Sequence, residues 1–103
     1  MKDMISETMT VEGYASNLYR EVVTICGVRC KFENAEFENG KTRIYVASTN
    51  PIEFSFGKGK YLRRKIRQYL RWTARQNEAV GYDPYSDTTA DGRSLPTIRK
   101  EWH

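Results

Sequence analysis

Histidine is all but missing from this 103-residue chain, whose one imidazole is the C-terminal residue, His103. No base is therefore at hand to activate a nucleophile, and the sequence is not expected to be that of an enzyme. Cysteine is almost as scarce, with Cys26 and Cys30 alone. On one strand these two share a face about 13 Å apart, which is beyond disulfide reach, so reduced, packed thiols are expected. Two thiols and a terminal imidazole also fall short of a four-ligand zinc site unless carboxylates or a second chain complete it. Neither a metal nor another cofactor is expected. Long apolar runs are absent too. No stretch approaches the roughly 20 apolar residues of a membrane span, and "MKDMISETMTVEG" lacks the apolar core of a secretion signal. The expected location is cytoplasmic, without membrane contact.

A further scarcity is local. From position 58 to position 75 there is no Asp or Glu, while Lys58, Lys60, Arg63, Arg64, Lys65, Arg67, Arg71 and Arg75 supply eight of the 17 basic residues. The other nine cations face 13 acids, so a segment of +8 is joined to a remainder of −4, and the overall charge of +4 conceals a patch. A patch of one sign, unlike a uniform background, points to a partner of the other sign.

A chain of this length forms one domain, and 39 % hydrophobic residues suffice for one modest core. Positions 1–8 are mostly polar without a sustained period and read as a flexible N-terminal tail. Positions 9–76 read as a single α+β domain, and 77–103 as a turn-rich C-terminal arm. From Val11 to Phe32 the residues are strand formers, with Gly13 and Gly27 as breaks or bulges. "ASNLYREVV" competes as a short helix, because Leu18, Val22 and Val23 fit helical spacing.

A hairpin is expected over about 31–48. Asn39-Gly40 tolerates the positive φ of a two-residue turn, which pairs Glu38 with Lys41, Phe37 with Thr42, Glu36 with Arg43, Ala35 with Ile44 and Asn34 with Tyr45. Ala35, Phe37, Ile44 and Val46 then face the core. The tandem "FEN" at 32–34 and 37–39 invites a carboxylate site, but alternation places Glu33 on the face opposite Glu36 and Glu38. Those two have basic partners across the hairpin, so a salt-paired solvent face is the expectation, and general acid-base chemistry is not.

After Pro51 and the link "NPIEFSF", a helix is expected over about 60–76. On a wheel of 100° per residue, Ile66, Tyr69, Leu70 and Thr73 lie within about 80° of Leu62 and form one apolar stripe. Lys60, Arg63, Arg64, Arg67, Arg71 and Arg75 cover the opposite side, and Tyr61, Lys65, Gln68 and Trp72 run between the faces. A merely solvated face mixes signs to gain pairs at i, i+4; here like charges stack, each pair costing a few tenths of a kcal/mol. An anionic partner would compensate. Gly57 and Gly59 let the chain turn where unpaired helix N–H groups attract phosphate, and Lys58 and Lys60 add charge, so this start is a candidate phosphate nest. It lacks the Ser or Thr of a nucleotide-triphosphate loop. Tyr61 and Trp72 are candidate stacking groups beside the arginines, or else packing against the sheet.

Beyond Asn77 the residues Gly81, Pro84, Gly92 and Pro96 break regular structure, while Tyr82, Tyr85, Leu95, Ile98 and Trp102 are apolar enough to fasten the arm to the body or to a partner. The hairpin followed by a basic helix, with "RIYVAS" ahead of it and Tyr-Leu at 61–62 and again at 69–70, resembles a eukaryotic large-subunit ribosomal protein. That resemblance is confined to this stretch, with a longer intervening loop here and nothing matching beyond Trp72; it implies RNA. The sequence thus predicts an α+β fold in which a small antiparallel meander or hairpin sheet packs on one basic amphipathic helix. The expected function is binding of nucleic-acid phosphates, of structured RNA rather than DNA, through Lys58, Lys60, Arg63, Arg64, Arg67, Arg71 and Arg75 with Tyr61 and Trp72. The alternative is a small regulator or inhibitor docking on an acidic protein, with Trp72, Tyr82, Tyr85 and Trp102 as its hot spots. A monomer or small homo-oligomer is expected in either case.

Overall fold

A computed structural model describes residues 2–3, 5–48, 52–53, 58–86 and 95–103. In chain order these form strands β1 (Lys2–Asp3) and β2 (Ser6–Glu12), a 3-10 turn at Ser16–Leu18, strands β3 (Val22–Ile25), β4 (Val28–Glu38), β5 (Lys41–Ser48) and β6 (Ile52–Glu53), helix α1 (Lys58–Ala79), and strand β7 (Glu101–Trp102). The fold is α+β. Five strands in the order β2-β5-β4-β3-β7 make a sheet that is antiparallel except at β3–β7, and β1 pairs with β6 in a separate short ladder.

Two tight turns shape the sheet, and both are local in origin. Asn39 and Gly40 between β4 and β5 have φ of 55° and 76°, and Cys26 and Gly27 between β3 and β4 have 50° and 80°. Positive φ at both central residues matches the twist of the flanking strands. The first turn sets Glu38 opposite Lys41, Phe37 opposite Thr42 and Glu36 opposite Arg43. The second corrects the expectation for the cysteines, which do not lie on one strand: Cys26 is in the turn, and Cys30 is on β4 opposite Val23. Both thiols are free. Burial, with Cys26 nearby, pushes the Cys30 thiol up to about 12.

Farther along the hairpin the expected register fails. Tyr45 lies opposite Glu33, not Asn34, because a bulge falls between Glu33 and Glu36, where Asn34 takes a φ of 49°. The reason lies in spacing: Cys30 and Phe32 reach the core from one end of β4 and Ala35 packs against it from the other, while Phe37, expected in the core, turns to the same side but lies outside it against Tyr14. Strict alternation cannot turn both Phe32 and Phe37 inward across an odd interval, and one extra residue resolves the conflict. Phe32 is fully buried and Phe37 half-buried. The bulge also carries Glu33 onto the outer face with Glu36 and Glu38, contrary to the alternation argument.

Along the inner face, Met9, Val11, Val23, Ile25, Phe32, Ile44 and Val46 meet Leu62, Ile66, Tyr69 and Leu70 of α1 in one core. The predicted flexible tail is instead structured: Lys2–Asp3 pairs with β6 and Ile5 is buried. Ser6 already begins β2, whose seven residues pair with β5 from Ala47 to Lys41 and turn Met9 and Val11 inward. Both readings of "ASNLYREVV" are partly realised, as a 3-10 turn at Ser16–Leu18 followed by β3.

The helix extends past the predicted 60–76 at both ends, to Lys58–Ala79. Near its end Asn77 is buried, and its side-chain amide donates to the Tyr14 carbonyl at 2.8 Å and to Asn17 Oδ1 at 3.1 Å. Gly81, at a φ of 70°, then stops the helix: its N–H reaches the Glu78 carbonyl at 2.9 Å, and that of Tyr82 the Asn77 carbonyl at 3.1 Å. The end of the arm folds back on the domain. Thr24 N–H donates to the Lys100 carbonyl and Cys26 N–H to that of Trp102, at 2.9 and 2.8 Å. The Tyr69 hydroxyl donates to the Arg99 carbonyl at 2.6 Å.

Candidate nucleic-acid interface

The side of α1 turned away from the sheet carries the candidate site. Core packing of Leu62, Ile66, Tyr69 and Leu70 fixes the helix rotation, so Lys60, Arg64, Arg67, Arg71 and Arg75 all emerge exposed. At ~1.5 Å per residue these five cations extend along roughly 22 Å of helix. Among the described residues, no carboxylate lies within ion-pairing distance of any of them. Several acids on or next to the sheet are engaged elsewhere: Glu36 holds Arg43 at 2.7 Å, Glu33 holds Lys31 at 3.5 Å, Glu12 holds Lys41 at 3.6 Å, and Glu21, just before β3, holds Lys100.

Other predicted site residues separate from this stripe. Arg63 is half-buried at its rim, and its Nε donates to Glu7 Oε2 at 3.0 Å. Lys65, on the other flank, lies 3.5 Å from the His103 carbonyl, with its ammonium 5.6 Å from the centroid of the Tyr61 ring. Gly57 and the side chain of Lys58 lie outside the described residues; Gly59 is the second residue of α1 and is buried. The candidate phosphate nest is thus described only in part, by Gly59 and Lys60 in the first turn of α1.

The two predicted stacking residues have different environments. Tyr61 is 48 % exposed beside the basic stripe. Trp72 is half-buried, its ring 5.4 Å from that of Trp102 and 6.3 Å from that of Tyr69, and the Arg99 guanidinium lies over both indoles, 5.9 Å from Trp72 and 5.1 Å from Trp102. The arm thereby packs on Trp72, while Tyr61 and Gln68 of the same edge stay exposed. Burial pushes the Tyr69 hydroxyl up to about 12.

A second aromatic group, which the linear reading did not assemble, gathers where α1 ends. Tyr14 contacts Phe37 and Tyr82, with ring centroids 5.4 and 4.7 Å apart, and Phe37 lies 5.9 Å from Tyr85. Its members come from the loop after β2, from β4 and from the turn after α1. No local period links them. The available signal was an aromatic residue near each of Gly13, Gly40 and Gly81, namely Tyr14, Phe37 and Tyr82, at the positions where the chain reverses.

Among the described residues, no group of three His, Cys, Asp or Glu side chains is placed to hold a metal, and no helix is long and apolar enough to cross a membrane. No family model, no curated protein and no solved structure matches the chain.

Proposed function

We propose that this protein binds the phosphate backbone of nucleic acid, structured RNA in preference to DNA, through the outer face of α1. The observation that carries the reading is the stripe of five exposed cations without a carboxylate partner among the described residues, on a helix whose rotation the core fixes. Phosphates would relieve the mutual repulsion of Arg67, Arg71 and Arg75 and release counterions. Tyr61 adds apolar contact beside the stripe. The choice of RNA over DNA rests on the short sequence resemblance of the hairpin-helix stretch alone.

Five phosphate contacts imply a slope of about −4.5 for log affinity against log salt on duplex DNA, and about −3.5 on single strands. The test is a fluorescence-anisotropy titration with RNA and DNA oligomers at two salt concentrations, comparing wild type with the Arg64→Glu, Arg67→Glu, Arg71→Glu triple variant. Unchanged affinity in the triple variant ends the proposal. Docking on an acidic protein, the second reading of the sequence, would instead show a fixed stoichiometry and a shallower salt dependence.

A further inference from the structure

Beyond the end of the basic stripe, the aromatic group encloses an open groove of about 220 Å³. Tyr14, Phe37, Tyr82 and Pro84 supply its apolar surface, while Gly13 and Ala74 add little bulk. Ala74 and Glu78, which also line it, are residues of α1. Arg71 precedes Ala74 by three residues and Glu78 by seven, so it occupies the same side of the helix, one to two turns back. Groove and stripe are therefore parts of one surface.

Tyr85 flanks the groove without lining it: its ring, the outermost of the group, lies 5.9 Å from that of Phe37, which does line it. Tyr85 is 82 % exposed, the greatest exposure of any large hydrophobic side chain among the described residues. Its turn is nonetheless held in place. The Asp83 carboxylate accepts the Tyr85 N–H at 2.9 Å and the Ser86 hydroxyl, and these bonds hold Asp83 below the usual carboxylate range. An aromatic side chain on a pre-ordered turn loses less freedom on binding than one on a loose loop.

We infer that this groove takes one unpaired nucleobase of the RNA whose backbone lies along α1, the base entering against Phe37 and Tyr82 and being covered from outside by the adjoining Tyr85 ring, while its phosphate stays on Arg71. The inference rests on the phosphate-binding reading and refines it. A base inside a helix has both faces covered, so only a bulged, looped or terminal nucleotide can enter. The Glu78 carboxylate at the groove's edge accepts hydrogen bonds but donates none, which favours bases that present an amino group. The nearby arginines oppose a cationic occupant and suit one attached to a phosphate chain.

The test uses the full chain and two RNA hairpins, identical except that one carries a single bulged 2-aminopurine. Wild type is expected to bind the bulged RNA roughly tenfold tighter than the paired one, the lower part of the range for one base stacked on an aromatic ring, and to quench the probe's fluorescence. Tyr85→Ala loses both effects and keeps the affinity and salt slope for the paired hairpin; Tyr85→Phe keeps both. Wild type that binds the two RNAs equally, without quenching, overturns the base groove and leaves the phosphate reading in place. No binding to either RNA ends both. A preference that survives intact in Tyr85→Ala puts the base elsewhere and overturns the groove, as does an acidic peptide that shifts the Phe37 and Tyr85 amide resonances where the bulged RNA does not.

Discussion

Arg71 is the residue at which charge repulsion and binding are most directly opposed. Four residues away in each direction it meets Arg67 and Arg75, and none of the three has a carboxylate partner among the described residues. Each like pair on an exposed helix costs about 0.2–0.5 kcal/mol, and each opposite pair contributes as much. Arg71→Glu replaces two repulsions by two attractions, a swing of about 1–2 kcal/mol, and Arg and Glu differ little in helix propensity. At this chain length 1 kcal/mol moves the thermal midpoint by about 4 °C. The variant is expected to melt at least that much higher than wild type in ~20 mM salt, with the gain largely gone in ~1 M salt, where screening reaches about 3 Å. Its affinity for an RNA oligomer should fall, and its salt slope should shrink by about 1. Thermal unfolding followed by circular dichroism, beside anisotropy titrations, reads both effects. A variant that melts lower at low salt, or whose change is indifferent to salt, would show that Arg71 already has a compensating partner, and the reasoning from an uncompensated stripe would collapse.

Three further outcomes concern the scaffold. Gly13 has a φ of 91°, and a Cβ there would come within 3.1 Å of the Ala74 Cβ on α1; Gly13→Ala should cost more than about 1 kcal/mol in urea unfolding, and a neutral result would mean that helix and loop are not in this contact. Asn34→Val should destabilise by about 1–2 kcal/mol because a β-branched residue resists the left-handed φ of the bulge, whereas Asn34→Gly should be tolerated; equal stability of the two variants counts against the bulge. Folding raises the Cys30 thiol from 9.0 and the Tyr69 hydroxyl from 10.0, each to about 12. Both folded values exceed the unfolded ones, so this stability is intact below pH 9 and is lost as pH rises toward about 12. Urea midpoints should fall over that window in wild type and fall less in a Cys30→Ala, Tyr69→Phe double variant; parallel curves would assign the alkaline loss to other groups.

What could be read in the sequence was short-range. Asn39-Gly40 dictated a turn and with it the first three cross-strand pairs, because a two-residue loop leaves no freedom of register. The spacing of Leu62, Ile66, Tyr69, Leu70 and Thr73 dictated an amphipathic helix and placed the cations on its far side, because 3.6 residues per turn is a local property of the backbone. Matters set by distant neighbours stayed hidden. The bulge at Asn34 arises only because Phe32 and Phe37 must both turn to the inner side of the sheet, one to Tyr69 and the other to Tyr14, and β2 extends back to Ser6 only because β5 supplies the whole ladder for it. Glu7 draws Arg63 aside from across 56 positions of chain, and Trp102 occupies the flank of Trp72 that a base could otherwise have used. The aromatic groove brings together Tyr14, Phe37 and Tyr82 from three separate segments. Local geometry depends on a few adjacent dihedrals and can be inferred from adjacent residues, whereas those contacts exist only once the chain has closed on itself and buried a shared core.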